Sequence, residues 1–237
     1  MEPHRASAAP LSSVPVWDAP TRIVHWLLAT AVLLAYFVEP ERGWQFVVHV
    51  SAGCTALALV IFRLPWGFIG SAHSRFADFV RGLSPAAAYA RQLLRLRAPR
   101  YVGHNPLGGW MVVILLAAVA ATTVTGLFSA GRDGVAGPLA PPGGSGLSDW
   151  HEVLGNLVIV LVVIHVCGVL VDILLTGENL VRSMFTGRKD LDDAAAALER
   201  PLVSSRRAIV PLIVAAAVGG YLLSLIDFGG AGTGGDD

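Results

Sequence analysis

The amino-acid sequence predicts an all-α integral membrane protein, because its apolar residues form long blocks and its charged residues lie between them. Of 237 residues, 54% are hydrophobic and only 14% are charged, whereas soluble domains average about one quarter charged residues. A helix needs about 20 apolar residues to cross the hydrocarbon core of a bilayer. Five stretches meet or approach this length and are predicted to span the membrane: 23–38, 46–64, 108–128, 151–175 and 208–226.

The distribution of positive charge predicts the orientation of these spans. All of the 17 Lys and Arg residues except Arg42 and Arg132 lie toward the side of the membrane that holds the N-terminus. Cytoplasmic loops are enriched in Lys and Arg. We therefore expect a multi-pass protein of the bacterial inner membrane, with its N-terminus in the cytoplasm and its C-terminus outside. Nothing at the N-terminus has the long apolar core of a cleaved signal peptide.

This topology divides the chain into four predicted segments: a cytoplasmic N-terminal segment (1–20), a unit that contains the first four spans (21–190), a cytoplasmic linker (191–205), and the fifth helix with a short outside tail (206–237). Residues 86–97 of the basic second connection are expected to form a surface helix. Tryptophans near the ends of the spans are typical of an interfacial belt. The formal net charge of +0 gives no indication of a nucleic-acid partner.

Four histidines lie within the predicted spans: His25, His49, His151 and His165. Ionisable residues inside a membrane are costly, so each is a functional candidate. His151 and His165 share the fourth span, where fourteen residues correspond to a rise of about 21 Å and a rotation to within about 40° of one face. Because successive spans alternate in direction, His25 has the depth of His165 and His49 has the depth of His151. The sequence therefore predicts two histidine pairs, one near each membrane surface.

Haem iron suits such pairs, because two neutral imidazoles on opposite helices fill both axial positions of a low-spin, electron-transferring centre. Structural zinc needs four ligands at one point and fits two separated pairs poorly. Gly53 and Gly155 each follow a candidate ligand by one turn and would leave room for a flat macrocycle. The alternative is that the histidines are polar packing residues, hydrogen-bonded between helices. The chain has no C-x-x-C-H motif for covalent haem attachment.

Other polar residues are expected near the cytoplasmic-side haem. The guanidinium groups of Arg22, Arg63 and Arg75 would suit its two propionates, although each arginine could equally anchor the positive side of the protein. His104, in the loop that enters the third span, is a candidate for a quinone or proton site. It could equally be a solvated histidine in an Asn-Pro turn.

Several short motifs occur in a fixed order between about residues 16 and 190. They include Trp17-Asp18, Pro20-Thr21-Arg22, His25-Trp26, Phe62-Arg63, Trp66-Gly67, Gly103-His104-Asn105-Pro106, Thr125-Gly126-Leu127-Phe128 and His165-Val166. In these motifs the chain resembles the bacterial cytochrome b561 group, most closely the branch related to the b-type cytochrome subunit of nickel-iron hydrogenases.

The resemblance implies an up-and-down four-helix haem-binding bundle with two b haems, whose ligand positions fall on His25, His49, His151 and His165. It also implies electron exchange between a quinone pool and a redox partner on the outer side, such as a c-type cytochrome, a dehydrogenase or a hydrogenase. The fifth helix lies beyond the shared core. The sequence is also compatible with a homo-oligomer. We favour a subunit of an oxidoreductase complex. The alternatives are a stand-alone quinone oxidoreductase, for example one that takes electrons from superoxide, and a haem-free scaffold or transporter component.

Overall fold

The computed structural model describes residues 11–38, 43–130, 136–142, 146–192, 196–197 and 199–226. In chain order we label its helices α1 (Ala19–Phe37), α2 (Trp44–Ile69), α3 (Phe76–Phe79), α4 (Leu83–Leu94), α5 (Pro106–Phe128), α6 (Ser148–Thr176), α7 (Leu180–Thr186) and α8 (Ile209–Ser224). A 3₁₀ turn, Ser205–Ala208, leads into α8. Arg42, Arg132, the N-terminal residues 1–10 and the predicted outside tail from residue 227 lie outside the described residues.

Five helices are long and apolar enough to cross a membrane, as expected: α1, α2, α5, α6 and the helical segment Ser205–Ser224. The all-α fold class is therefore confirmed. Large apolar side chains lie exposed along α1, α6 and α8. Such extensive apolar surfaces are unusual on a soluble protein and are typical of contact with lipid.

A polar cap explains why α1 begins where it does. Asp18 caps α1 by accepting a hydrogen bond from the Thr21 backbone N–H, and Pro20 occupies the first turn. α1 therefore begins about one turn before the predicted span. α2 continues through Pro65 to Ile69, beyond the predicted end at residue 64. A proline in a helix removes one backbone hydrogen bond, and here the remaining bonds and the burial of Trp66 carry the helix onward.

The spanning helices form two hairpins. α1 packs on α2, and α5 packs on α6. Contacts between α2 and α5 join the two hairpins, and α8 packs against α2. A small-residue contact brings α8 close to α2, because a Cβ atom at Gly219 would lie 3.0 Å from the Cβ atom of Ala58. In the described chain α1 and α6 are not closely packed along their lengths. They meet through side chains, including a 3.1 Å hydrogen bond from Tyr36 Oη to Asn156 Oδ1.

Two short strands, which the sequence did not predict, attach the segment before α1 to the segment after α7. Leu11–Pro15 (β1) pairs in antiparallel fashion with Arg188–Asp192 (β2), which follows α7. Within β2 the buried Lys189 ammonium donates to the Glu178 carboxylate at 2.9 Å and to the Tyr101 carbonyl at 3.0 Å. The strand pair and this ion pair fix the segments before α1 and after α7 to each other.

The carboxylate of Asp18 is the centre of a buried hydrogen-bond cluster at the start of α1. Besides the Thr21 N–H at 2.8 Å, it accepts from Trp66 Nε1 at 3.2 Å and from the Ser74 hydroxyl at 2.7 Å. Burial alone would raise the pKa of Asp18, but hydrogen bonds from Thr21, Ser74 and Ser71 outweigh it and hold the pKa below its ordinary value. The cluster ties the first turn of α1 to the end of α2 and to the loop after it.

Trp17 and Trp66 do not belong to an interfacial belt, so that expectation was wrong for these two residues. Trp66 is 0% exposed and Trp17 is 5% exposed. Trp66 donates its indole N–H to Asp18 in the buried cluster, and Trp17 packs against His73 and His104. Trp44 and Trp150, by contrast, are exposed as a belt requires.

A second buried carboxylate holds the surface helix α4, which lies three residues earlier than its expected range of 86–97. Asp172 of α6 accepts hydrogen bonds from Tyr89 Oη at 2.9 Å and from Asn105 Nδ2 at 2.8 Å. Burial raises the pKa of Tyr89, and its hydrogen bond to Asp172 adds to the effect. Asn105 also caps α5. Asp172 therefore connects α4, α5 and α6 at one end of the bundle.

We expect Asp18→Asn to destabilise the protein, because an amide group would turn a donor toward the donors that Asp18 now accepts. Asn caps a helix about as well as Asp, so the cost comes from the buried Ser71 N–H and Ser74 hydroxyl, which would face an amide donor. An unsatisfied buried group costs about 1 to 3 kcal/mol, and for a chain of this size each 1 kcal/mol lowers the melting temperature by roughly 2 to 4 °C. Thermal unfolding in detergent measures this, with the exposed Asp190→Asn as the matched control. The difference between wild type and Asp18→Asn should be complete above about pH 4 and shrink as the pH falls through the lower folded pKa. Equal melting temperatures at pH 7 would contradict the assigned role.

Candidate haem-binding sites

The four span histidines form two facing pairs in the structure. The ring centroids of His25 on α1 and His165 on α6 are 6.4 Å apart, and those of His49 on α2 and His151 on α6 are 6.0 Å apart. These are the two pairs that the alternating direction of the spans predicts. The same helix, α6, contributes one histidine to each pair.

The separation within each pair fits one metal ion between two imidazoles. A transition metal bonds an imidazole nitrogen at about 2.0 Å, and that nitrogen lies roughly 1.1 Å from the ring centre, so the two centroids would be about 6.2 Å apart. The observed values of 6.0 and 6.4 Å lie on either side of this distance. No group of three or more His, Cys, Asp and Glu residues in the described part of the chain could hold a metal ion. The donor set thus suits a metal whose other ligands come from a macrocycle.

Backbone carbonyls orient the rings of one pair. Nδ1 of His151 donates to the Thr122 carbonyl on α5 at 2.8 Å, and Nδ1 of His49 donates to the Val38 carbonyl at 3.3 Å. A proton on Nδ1 leaves the lone pair on Nε2, the nitrogen that a metal would use. Such second-shell hydrogen bonds fix both the tautomer and the direction of a ligating histidine.

Gly126 provides the space for the His151 ring, a role that our sequence analysis did not assign to it. A Cβ atom at this position of α5 would lie 2.7 Å from Cε1 of His151, closer than real Cβ contacts. Gly126 belongs to the Thr-Gly-Leu-Phe motif, but the motif alone does not show which side chain crosses the glycine. Gly53 and Gly155 lie beside open space instead. A Cβ atom would meet nothing within 4 Å at Gly53 and only a Thr122 methyl group at 4.0 Å at Gly155.

The other pair, His25 and His165, lies at the end of the bundle that holds the Asp18 cluster. The Nδ1 atom of His25 is buried and has no hydrogen-bond partner among the described residues. Trp26 packs edge-on against the His25 ring at 5.0 Å and stacks on Phe185 of α7 at 4.3 Å. α7 therefore covers this end of α1 and holds the aromatic neighbour of His25 in place.

The three arginines expected near this pair have different surroundings. Arg63 is buried on α2, where one guanidinium nitrogen, Nη2, donates to the Ser74 carbonyl at 2.9 Å and another, Nη1, has no partner among the described residues. Arg75 pairs with Asp78 at 2.7 Å. Arg22 donates to the Phe185 carbonyl. Arg63 and Arg22 thus each keep one buried donor, Nη1 and Nε respectively, without a partner among the described residues.

His104 lies inside an aromatic enclosure rather than in an exposed turn. Its ring centroid is 4.8 Å from that of Trp17 and 4.6 Å from that of Phe79, and its buried Nδ1 has no partner in the described chain. Burial lowers the pKa of His104 to about 3, and the positive charge of Arg63 adds to the effect. The imidazole is therefore neutral at pH 7. Its candidacy as a quinone or proton site stays a prediction.

Apolar spans that carry two facing pairs of histidines define the architecture of a membrane b-type cytochrome. The family model for prokaryotic cytochrome b561 matches residues 16–187, so the chain belongs to the prokaryotic cytochrome b561 family. Membership implies haem b as the cofactor and haem-based electron transport in a multi-pass membrane protein. The matched range includes all four histidines and ends before the fifth apolar helix.

Relatives of this chain share low identity over most of its length. A protein of Rhizobium leguminosarum bv. viciae is 26% identical over 80% of this chain and 94% of its own, and one of Bradyrhizobium diazoefficiens is 25% identical over 76% and 87%. Both are named "Probable Ni/Fe-hydrogenase B-type cytochrome subunit". An Escherichia coli protein named "Probable Ni/Fe-hydrogenase 1 B-type cytochrome subunit" is 32% identical over 25% of this chain and 33% of its own. No solved structure matches the chain.

We expect Gly126→Ala to lower the haem b content of the purified protein, because the new methyl group would displace the His151 ring from its bond with Thr122. The measurement is the reduced-minus-oxidised difference spectrum per polypeptide. Gly220→Ala is the matched control, since a Cβ atom there would meet nothing within 4 Å. A normal haem content in Gly126→Ala would show that the ring has room to shift and would contradict the steric role.

Proposed function

We propose that the protein is a dihaem cytochrome b that transfers electrons across the bacterial inner membrane, between the quinone pool and a partner on the outer side. The observation that carries this proposal is the pair of facing imidazole contacts, at 6.4 and 6.0 Å, on helices that cross an apolar layer. In the proposed arrangement His25 and His165 ligate the cytoplasmic-side haem, and His49 and His151 ligate the outer one. Each iron would take up and release one electron.

The chain itself would hold and orient the two haems. Nδ1 hydrogen bonds to backbone carbonyls direct the Nε2 atoms of His49 and His151 toward the space between their helices. Arg63 would bind a propionate of the cytoplasmic-side haem through its free Nη1. Gly53 and Gly155 would leave space beside the outer macrocycle. The apolar spans exclude water, which keeps both sites in a medium of low dielectric.

The positions of His151 and His165 on α6 support a transmembrane route. Fourteen residues of helix separate the two sites by about 21 Å along the axis, most of the roughly 30 Å hydrocarbon core. We infer that the N-terminus is cytoplasmic from the positive charge on its side of the bundle, which includes Arg63, Arg75 and Lys189. The cytoplasmic-side haem would then lie beside the Asp18 cluster.

The relatives' names favour a particular redox partner. We propose that the chain is the b-type cytochrome subunit of a Ni/Fe-hydrogenase complex, which would supply electrons to the outer haem for delivery to quinone. The two rhizobial relatives that carry this name match 80% and 76% of this chain over 94% and 87% of their own lengths. A stand-alone quinone oxidoreductase would need no partner chain, so the two functions differ in what the protein binds.

Histidine substitutions test the two proposed haem sites. His25→Ala and His165→Ala should each remove the same haem and leave about half of the b-type absorbance, and combining them should remove no more. His49→Ala and His151→Ala should do the same for the other haem. His73→Ala is the control, because His73 lies outside the spans and pairs with Glu199 at 2.9 Å. Full haem content in His165→Ala would contradict the assignment. So would the loss of both haems from the double variant that combines His25→Ala with His165→Ala.

A second readout, the midpoint potential of each haem, tests the proposed role of Arg63. Arg63→Gln removes a positive charge beside the cytoplasmic-side site, so it should lower the midpoint potential of one haem only, by an amount on the order of 59 mV for a tenfold change in a one-electron equilibrium. Arg75→Gln should change the potential less, because Arg75 is paired with Asp78. Unchanged potentials in Arg63→Gln would remove it from the haem site while leaving the histidine assignment to stand on its own test.

We expect the protein to co-purify with hydrogenase subunits from mild detergent, and membranes that contain it to couple hydrogen oxidation to quinone reduction. The His165→Ala variant should keep the association and lose the coupling, because the docking surface is intact while one haem is absent. A protein that purifies without partners and reduces quinone with superoxide would instead support the stand-alone function.

A further inference from the structure

A cavity of about 250 Å³ lies beside the first turn of α1, away from the histidine pairs. It is bounded by the end of β1, the start of α1, the turn between α7 and β2, and the linker before α8. Its lining residues are Pro15, Trp17, Asp18, Ala19, Arg22, Thr186, Gly187, Arg188, Leu202, Val203 and Ser205. None of these belongs to α2, α5 or α6, so the cavity is separate from the site between His25 and His165.

Two residues of the lining carry buried hydrogen-bond donors that the described residues leave unsatisfied. Nε of Arg22 and Nε1 of Trp17 are both buried and have no partner there, and Trp17 is only 5% exposed. Buried donors are normally paired, so two unpaired ones in a single lining indicate a missing acceptor. Asp18 does not serve as that acceptor, because its oxygens are engaged by Thr21, Trp66, Ser71 and Ser74.

Charge adds to this preference for an acceptor. Arg22 and Arg188 both line the cavity, and Asp18 is the acidic residue among its lining residues. Arg188 also donates to the hydroxyl and the carbonyl of Ser13, which hold its guanidinium group beside β1.

We propose that this cavity binds a phosphate group, supplied by the headgroup of an anionic phospholipid or by free phosphate. Two arginines and an indole N–H together suit a tetrahedral oxyanion with several acceptor oxygens. A volume of about 250 Å³ has room for roughly eight waters at about 30 Å³ each, enough for a phosphate and part of a glycerol. The site lies at the ends of two spanning helices, the depth at which lipid headgroups occur.

The variants Arg22→Gln and Arg188→Gln test the proposal in purified, haem-loaded protein. Arg182→Gln is the matched control, because Arg182 is an exposed arginine of neighbouring α7 that does not line the cavity. Three probes are added separately: dioleoylphosphatidylglycerol, dioleoylphosphatidylcholine and inorganic phosphate. Native mass spectrometry counts bound molecules, and thermal unfolding follows the stabilisation that ligand binding confers.

We expect phosphatidylglycerol to bind one molecule per chain, and Arg22→Gln and Arg188→Gln each to weaken that binding about tenfold, as loss of a charge-assisted hydrogen bond implies. Binding of phosphatidylglycerol without inorganic phosphate identifies a lipid site, and competition between them identifies a site for either source. Equal affinities in wild type, both variants and Arg182→Gln would overturn the proposal. So would an Arg22→Gln protein that loses b-type absorbance while lipid binding is unchanged, which would place Arg22 at the haem. If Arg22→Gln does not fold, the exposed Arg188 carries the test alone.

Discussion

A histidine in a membrane span must satisfy two ring nitrogens where no water is available, and this constraint explains much of the structure. An unpaired polar group in hydrocarbon costs several kcal/mol. For His49 and His151 one nitrogen bonds a backbone carbonyl, and the centroids of the two rings lie 6.0 Å apart. A metal between the rings would satisfy the second nitrogen of both. The helices must therefore hold two imidazoles at a fixed distance. At Gly126 the backbone of α5 lies so close to the His151 ring that a Cβ atom would not fit between them.

The two ends of the bundle meet this demand in different ways. The rings of His49 and His151 are oriented by backbone carbonyls of Val38 and Thr122. The pair formed by His25 and His165 instead lies at the end of the bundle that holds the buried polar groups Asp18, Asp172 and Lys189. Each of these charged groups is buried and hydrogen-bonded, and each joins segments that are distant in sequence. This end is thus the more rigidly cross-linked one. These cross-links hold the N-terminal segment, α4, α7 and the linker against the spanning helices.

The sequence predicted the fold class, the number of spans and the membership of both histidine pairs, because each depends on period, length and alternating direction. It did not predict β1 and β2, whose pairing joins residues more than 170 positions apart and has no local signal. Nor did it reveal Asp18 as a hub, since an aspartate before a proline in a helix start already has a local explanation as a cap. The prediction for Trp66 was wrong because a tryptophan at the end of a span is typical of an interfacial belt. Only its tertiary contact with Asp18 shows that it is buried. The same limit applies to Gly126, whose importance depends on a ring from another helix.

The weak packing between α1 and α6 links the proposed cofactor to the stability of the fold. These helices meet through Tyr36 and Asn156 and through the facing rings of His25 and His165, rather than through an interlocked apolar surface. A group bound between the two rings would replace missing helix contacts with two coordinate bonds. Ligand binding to the folded state alone stabilises that state, so the proposed haem would close the bundle on the side that the helices leave open. α2 and α5 pack directly against each other. They would hold the two hairpins together while the haem joins α1 to α6.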